Sequence, residues 1–254
     1  MTNRILTLLI GILFCSIAVN AHEFSEESLN YKIYYKWGFI QKQAGRATLD
    51  LDSDGKYYKA SLFARTESWA DHFYRVRDTL LSTFSVQTLM PVEYHRIAHE
   101  KSWYGHDIVT FSYANNEVSG FCRRLSKGKK DKDVIESSHT LTAQGVTVDI
   151  LSAFYYVRAI DFPNVAKGQT WKINIFSGKR KELLTISYLG IERIKLDKKS
   201  VDAYKVTFKF TSDGGKQTSD PIAAWLSTDN NHIPLRLEGK LTVGKVVCVY
   251  SELK

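Results

Sequence analysis

The residues best suited to bind a ligand fall in two short stretches that mix aromatic, cationic and acidic side chains. They are Trp69, Tyr74, Arg77, Asp78, Asp149, Tyr155 and Arg158. A guanidinium beside an aromatic ring suits an anionic amphiphile or a sugar. The same residues also fit a structural role, in which Arg77 or Arg158 forms a buried ion pair with Asp149 or Asp78. Such a pair would need full hydrogen bonding to offset its desolvation.

A second chemistry that the residue types allow is hydrolysis. Ser152 could act as a nucleophile with His72 as its base, or Asp149 and Asp78 could act as a carboxylate pair. A nucleophile, a base and an orienting group must lie within hydrogen-bond reach of one another. No nucleophile elbow, phosphate-binding glycine loop or dinucleotide motif connects these residues. An envelope hydrolase is therefore the alternative hypothesis, and a protein without catalytic activity is the first.

Three histidines, His95, His99 and His106, lie near Glu100 and Asp107 in the sequence. On a strand, residues four apart are separated by about 13 Å. Two ligands of one zinc ion must both come within about 2.1 Å of it. The stretch favours a strand, so we expect no metal site, and no motif in the chain indicates a cofactor.

The elements that must position these side chains are one helix and many strands. Residues 147–158 carry apolar side chains at helical spacing around most of the circumference, with a polar seam formed by Asp149, Ser152 and Tyr156. A helix of this kind has to be buried. We therefore predict one central buried helix over residues 147–158.

Almost all of the remaining chain alternates apolar and polar residues with the period of a strand. The clearest case is Tyr204, Val206, Phe208 and Phe210 alternating with polar neighbours. We read residues 126–138 as a long polar loop and the segment from Pro234 as one last long strand. The expected fold is mainly β, a single antiparallel and strongly curved sheet of about a dozen strands, forming a barrel or half-barrel around the helix.

The N-terminus predicts export. Arg4 precedes a short apolar run that ends at small residues, so residues 1–21 are expected to be a cleaved signal peptide and residues 22–254 a single β-rich domain in the periplasm. Cleavage would lower the formal charge from +8 to +7. The basic window at residues 123–132 suits an anionic partner or a solvated loop. Nucleic acid is not an expected partner, and after cleavage no segment is expected to span a membrane.

Two cysteines remain after residue 21, Cys122 and Cys248. The periplasm is oxidising, so they could form a disulfide. Each also lies in an apolar strand pattern that suits a buried free thiol. The sequence leaves both states open.

Four separated motifs resemble one known family. They are 35–38 with 44–47, 64–66 with Trp69, Tyr74 and 77–78, then 148–158, and finally 224–229 with 233–234. In this order they are similar to the exported bacterial proteins grouped as domain-of-unknown-function family 3108. The resemblance implies an envelope setting and a β-rich fold, and it supplies no activity, because the family has no established reaction.

The sequence thus predicts a periplasmic or envelope protein that binds an apolar or amphiphilic, lipid-like ligand in a concave sheet, with a role in envelope maintenance. A scaffold that contacts other envelope proteins through a filled barrel is a further alternative. Ligand, partner and oligomeric state stay open.

Overall fold

The computed structural model describes residues 22–128, 133–196, 199–212, 215–217 and 219–251. The predicted signal peptide, residues 1–21, lies outside this range, as does part of the basic window. The strands are β1 Glu27–Trp37, β2 Ile40–Ser53, β3 Tyr57–Thr66, β4 Val76–Ser85, β5 Pro91–Glu100, β6 Trp103–Ala114, β7 Glu117–Lys127, β8 Ile135–Gln144, β9 Thr147–Val148, β10 Thr170–Phe176, β11 Lys181–Leu196, β12 Lys199–Ser212, β13 Ile222–Ser227, β14 Pro234–Lys240 and β15 Lys245–Tyr250. The helices are α1 Ser68–Asp71, α2 Ser152–Arg158 and a 3-10 helix at Phe162–Asn164.

All fifteen described strands belong to one sheet, in the order β8-β7-β6-β5-β4-β3-β2-β1-β15-β14-β13-β12-β11-β10-β9. The first eight strands follow one another as a meander, and β1 pairs with β15, which joins the two halves. The mainly β fold and its barrel-like curvature are confirmed. The prediction of a purely antiparallel sheet is wrong, because β9 pairs in parallel with β10 at Thr147 and Val148.

The two ends of the sheet approach each other and nearly close the barrel. The backbone N–H of Asn174 in β10 donates to the Val146 carbonyl at 2.9 Å. The Lys181 ammonium donates to the Thr142 carbonyl of β8 at 3.1 Å. Phe176 stacks on Phe111 with ring centroids 5.8 Å apart. Side chains therefore join β10 and β11 to β6 and β8, and the backbone of β10 binds the segment that directly follows β8.

The segment around α2 is buried as expected, but the helix is shorter than predicted. Thr147 and Val148 form β9, and the helix begins only at Ser152. The reason is Asp149, whose Oδ1 accepts hydrogen bonds from the amides of Leu151 at 2.7 Å and Ser152 at 2.8 Å. A short polar side chain that binds the following amides in this way starts a helix and does not continue one.

Two further segments differ from the sequence-based expectation. The polar segment 126–138 is divided between the end of β7 and the beginning of β8, with a shorter connection between them. The last long strand is interrupted by a turn before β15, where Gly244 has φ +76°. β8 escaped the sequence analysis because most of its side chains are exposed on both faces and do not alternate.

Helix α2 divides the interior into two apolar clusters. Leu151 and Tyr155 pack with β1–β7, whereas Ala153, Tyr156 and Val157 pack with β10–β13. A small third cluster is formed by Ile194, Ala203, Trp225 and Leu235, and the partly buried Ile233 and Tyr250 connect it to the first cluster. The helix is therefore the part of the core that both halves of the sheet share.

The C-terminal end of α2 is anchored by a buried ion pair. The guanidinium of Arg158 is 1% exposed and contacts both carboxylate oxygens of Glu27, with NH2 to Oε2 at 2.9 Å. Its Nε donates to the Asn231 carbonyl at 3.0 Å, and Nδ1 of His232 donates to the Arg158 carbonyl at 2.7 Å. One residue thus joins α2 to the beginning of β1 and to the turn before β14.

We expect Glu27→Ala to lower the free energy of unfolding by about 3 kcal/mol, because removing one partner leaves a buried charge uncompensated. The exposed neighbour gives a matched control, since Glu26→Ala should change stability by less than about 0.5 kcal/mol. Urea unfolding followed by tryptophan fluorescence measures both. Equal stability of the two variants would show that the pair does not hold the helix in place.

Candidate functional site

The first predicted stretch lies mostly on the outside of the barrel. Nε1 of Trp69 donates to the Gln43 carbonyl at 2.7 Å. Arg77 binds Asp71 at 2.7 Å, and this pair lowers the pKa of the Asp71 carboxyl to about 2. The hydroxyl of Tyr74, which is 46% exposed, donates to a carboxylate oxygen of Glu100. These side chains hold α1 and its loop against β2, β4 and β5.

Asp78 is the member of that stretch that points inwards. It follows Arg77 in β4, and alternation puts it on the same face as Leu80 and Ser82. Burial raises its pKa above the usual value for a carboxyl, and the nearby Arg96 opposes the change. Arg96 approaches it with NH2 3.4 Å from Oδ2.

Asp149 lies at the centre of the interior and is fully buried. Besides the two amides that begin α2, its Oδ2 accepts hydrogen bonds from the hydroxyls of Ser82 at 2.6 Å and Ser152 at 2.8 Å. Burial raises the pKa of this carboxyl, and the four hydrogen bonds offset part of the rise. Asp149 therefore joins the beginning of α2 to the wall at β4.

Tyr155 and Arg158 come together at the other end of α2. Tyr155 is completely buried, and its ring lies 5.2 Å from the rings of both Phe24 and Phe84. The Arg158 guanidinium lies 5.2 Å from the Tyr155 ring and 4.9 Å from that of Phe24. Burial first, and then the charge of Glu27, raises the pKa of the Tyr155 hydroxyl.

The structure does not form the ion pairs that the sequence suggested between these stretches. Arg158 pairs with Glu27 and Arg77 with Asp71, and neither forms an ion pair with Asp149 or Asp78. Glu27 stands 131 residues before its partner. The structural role of Arg158 was anticipated, whereas its partner could be found only from the fold.

An inward-facing polar wall on β4–β7 was missed by the sequence analysis. Arg124 contacts Asp107 with Nε 2.8 Å from Oδ1 and NH2 3.1 Å from Oδ2. Arg96 lies between Asp78, Glu100 and Asp107, with its closest contact to Glu100 at 2.6 Å. The pattern that could have revealed the wall is a charged residue at an inward position of a strand, as Arg96 is between Tyr94 and Ala98.

On the opposite side of α2 lies an apolar cavity of about 200 Å³. From the helix side it is lined by Ile150, Ala153, Phe154 and Val157, and from the sheet by Ile175, Leu184, Phe208, Phe210, Ile222, Ala224, Leu226, Pro234 and Leu237. Phe208, Phe210, Ile222 and Leu237 are only partly buried, so the cavity is accessible from that side. None of the seven predicted site residues lines it.

The residues considered for hydrolysis do not form a catalytic arrangement. Ser152 and Asp149 are hydrogen-bonded to each other, but both are completely buried and occupied with the beginning of α2. His72 is exposed, and its ring nitrogen lies 2.9 Å from the carbonyl of Ser68 within its own loop. The carboxylate pair of Asp149 and Asp78 is not formed either. Asp149 binds Ser82, and Ser82 lies four residues after Asp78 on β4, which separates their backbones by about 13 Å.

The three histidines lie on β5 and β6. Nδ1 of His95 is 3.0 Å from Nε2 of His106, and the ring of His99 lies against Tyr104 with centroids 4.9 Å apart. Within the described ranges, no group of three or more His, Cys, Asp or Glu side chains is arranged to hold a metal ion.

The two cysteines are free thiols in the structure. Cys122 on β7 and Cys248 on β15 are separated by six intervening strands in the order of the sheet. Burial raises the pKa of Cys122 to about 11 and that of Cys248 to about 12, so both thiols are neutral at physiological pH. The disulfide that the sequence left open is not formed.

The comparisons with known proteins define the family. A family model described as "Protein of unknown function (DUF3108)" matches residues 30–249, so the chain belongs to this family. No curated protein matches it. A barrel-like protein from Brucella abortus, itself assigned to the domain of unknown function DUF1849, shares 10% identity over 91% of this chain and 98% of its own, with a TM-score of 0.63.

Two more solved structures have lower similarity. A candidate exported protein with a YmcC-like fold from Bacteroides fragilis has a TM-score of 0.39 at 7% identity, covering 91% of this chain and 97% of its own. A candidate lipoprotein from Parabacteroides distasonis has a TM-score of 0.30 at 10% identity, with the same coverage. In the part of the chain that the structure describes, no helix has the length and apolar character needed to cross a bilayer.

We expect the stability of the protein relative to its Asp149→Asn variant to be lower at pH 7 than at about pH 4, the pKa of an aspartate in the unfolded chain. Burial raises the pKa of Asp149 in the folded protein. The protonated carboxyl therefore contributes its full stabilisation at pH values below the unfolded pKa, and this stabilisation is lost as pH rises through the folded pKa. The asparagine amide of the variant does not ionise, so it loses nothing over this range. Urea unfolding of both proteins at the two pH values measures the difference, with the exposed Asp133→Asn as control. A difference independent of pH would contradict the raised pKa.

Proposed function

We propose that this protein is an envelope protein that binds the apolar chain of a lipid-like amphiphile in the cavity between α2 and β10–β14. The observation that carries the proposal is the lining of the cavity, which consists entirely of apolar side chains. An apolar guest in a cavity of this composition would replace water that finds no polar side chain to bind. The N-terminal export pattern supports a periplasmic location.

The size of the cavity limits the ligand. Pockets for drug-sized ligands have about 300–1,000 Å³, and a dry cavity of about 150 Å³ accommodates benzene. A volume of about 200 Å³ therefore suits one chain of about eight carbons and not a complete diacyl lipid. The polar headgroup would stay outside, because no polar side chain lines the cavity.

The expected affinity is modest. Burying about eight methylene groups at roughly 0.8 kcal/mol each gives about 6 kcal/mol before the cost of association. The tightest binding that this transfer free energy allows is therefore a dissociation constant on the order of 0.01 to 0.1 mM for a single chain, and the cost of association makes the binding weaker. Such a ligand would exchange readily, as a carrier or a sensor of amphiphiles requires.

The polar wall and the two ends of α2 have a supporting role in this proposal. Asp149 and Arg158 hold the helix against the β1–β7 half of the barrel through Ser82 and Glu27. The opposite face of the helix then remains available to form one side of the cavity. Binding by this protein would need no catalytic group.

We expect the affinity for straight-chain fatty acids to increase about fourfold per methylene group, following the transfer free energy, and to level off once about eight carbons are buried. Displacement of the fluorescent probe N-phenyl-1-naphthylamine by acids of six to fourteen carbons measures this series. Ile222→Trp should weaken binding at least tenfold, because the indole would occupy the entrance.

The matched control is Ile191→Trp, since Ile191 is 62% exposed and lies away from the cavity. Its affinity should stay within twofold of the unmodified protein. Absence of probe binding, or equal binding by the two tryptophan variants, would exclude the cavity as the site. In that case a protein-binding scaffold would become the better hypothesis.

A further inference from the structure

One end of the barrel exposes an unusual number of large apolar side chains on neighbouring turns. The turn between β1 and β2 presents Trp37, Phe39 and Ile40, which are 57%, 109% and 55% exposed. The turn between β14 and β15 adds Leu241 and Val243, which are 48% and 55% exposed. Isolated exposed apolar residues are ordinary, whereas a cluster of this kind indicates an interaction surface.

These turns are held next to each other and to the α1 loop. The Tyr35 hydroxyl donates to the Val243 carbonyl at 3.2 Å, which joins the two hairpins. Trp69 binds the backbone of β2 at Gln43, and its ring lies 6.2 Å from that of Phe73, which is 75% exposed. We call the surface formed by residues 36–42, 69–75, 101 and 240–245 the rim.

The rim is strongly cationic. Its basic residues without an ion pair, as judged within the described chain, are Lys36, Lys42, Arg75, Lys101 and Lys240. The acidic residues on or beside it already have partners. Glu67 binds Arg46, Asp71 binds Arg77, and Glu238 binds Arg236 and Lys245. Glu100 binds Tyr74 and Arg96.

A second set of cations continues from the rim down the outer face. Arg46 stands directly opposite Arg65, and Arg65 directly opposite Arg77, on three adjacent strands. Like charges at opposed positions destabilise a sheet. Two of these arginines have acidic partners, but Arg65 has no ion pair among the residues described. Arg65 thus adds a positive charge without an acidic partner, as judged within the described residues, to the outer face next to the rim.

We propose that the rim docks this protein on the surface of an anionic phospholipid bilayer. Aromatic side chains favour the interface between headgroups and acyl chains. Lysine and arginine beside them are attracted to anionic headgroups, each contributing roughly fivefold to partitioning. A soluble polyanion would use the cations but would leave the apolar tips exposed, so the bilayer is the partner that fits both. The proposal does not depend on a ligand in the interior cavity.

Vesicle sedimentation with the purified protein tests the proposal directly. The vesicles consist of phosphatidylcholine alone or of phosphatidylcholine with about 30% phosphatidylglycerol, which gives them a negative surface potential. We expect binding to the anionic vesicles, at least tenfold weaker binding to the neutral ones, and weakening with added salt. Phe39→Ser combined with Phe73→Ser should reduce binding at least tenfold, as should Lys42→Glu combined with Arg75→Glu.

Each double variant has a matched control elsewhere on the surface. Phe121→Ser with Ile191→Ser removes two side chains that are 52% and 62% exposed. Lys172→Glu with Lys179→Glu makes the same change in net charge away from the rim. Both controls should bind within threefold of the unmodified protein, and circular dichroism checks that all variants are folded.

The proposal is overturned if the protein does not bind anionic vesicles, or if rim and control variants bind equally well. It is also overturned if the charge variant loses binding while the aromatic variant keeps it and the protein binds heparin with the same affinity as vesicles. That last result would identify a soluble polyanion as the partner of the rim.

Discussion

The interior of a barrel widens with the number of strands in its wall, and this constraint governs the whole molecule. About eight strands enclose a space that side chains alone can fill. A single sheet of fifteen strands encloses considerably more, so it needs another element inside. Helix α2 meets this need, and the two halves of the sheet pack on its two sides.

The helix can remain in that position because its two ends are fixed by different interactions. At its beginning, Asp149 is bound by two amides and two hydroxyls, one of them from the wall at β4. At its end, Arg158 is held by Glu27 and by the backbone at Asn231. Both residues are completely or almost completely buried, so both need these partners to avoid a large desolvation cost.

The two sides of α2 have different character. Towards β4–β7 the wall contains the inward-facing Asp107 and Arg124, which are paired and leave no net charge between them. Towards β10–β14, the small side chains of Ala153 and Ala224 contribute to a space lined only by apolar side chains. The cavity is therefore the part of the enclosed volume that α2 does not fill. It lies on the β10–β14 side, where no polar side chain lines it.

Much of this architecture could be predicted from the sequence, because alternation and helical spacing are local properties. The buried segment around residues 147–158 and most strands were recognised from them. The partners of the buried charges were not, since the contact between Glu27 and Arg158 depends on how β1 is placed beside α2. β8 was missed for the opposite reason, because a strand with most of its residues in solvent has no apolar face to reveal it. The parallel pairing of β9 could not be predicted either, because a strand of two residues is too short to show an alternation of apolar and polar side chains.

The junction between β8 and β10 has a mechanical consequence. Everywhere else in the described sheet adjacent strands share a backbone ladder, but β8 and β10 are linked through Asn174 and Lys181 to the carbonyls of Gln144, Val146 and Thr142. Along this junction the wall is therefore closed by a few separate hydrogen bonds and by the stacking of Phe176 on Phe111. Opening of the barrel along this junction would break only these contacts, and every strand would keep its neighbours in the sheet.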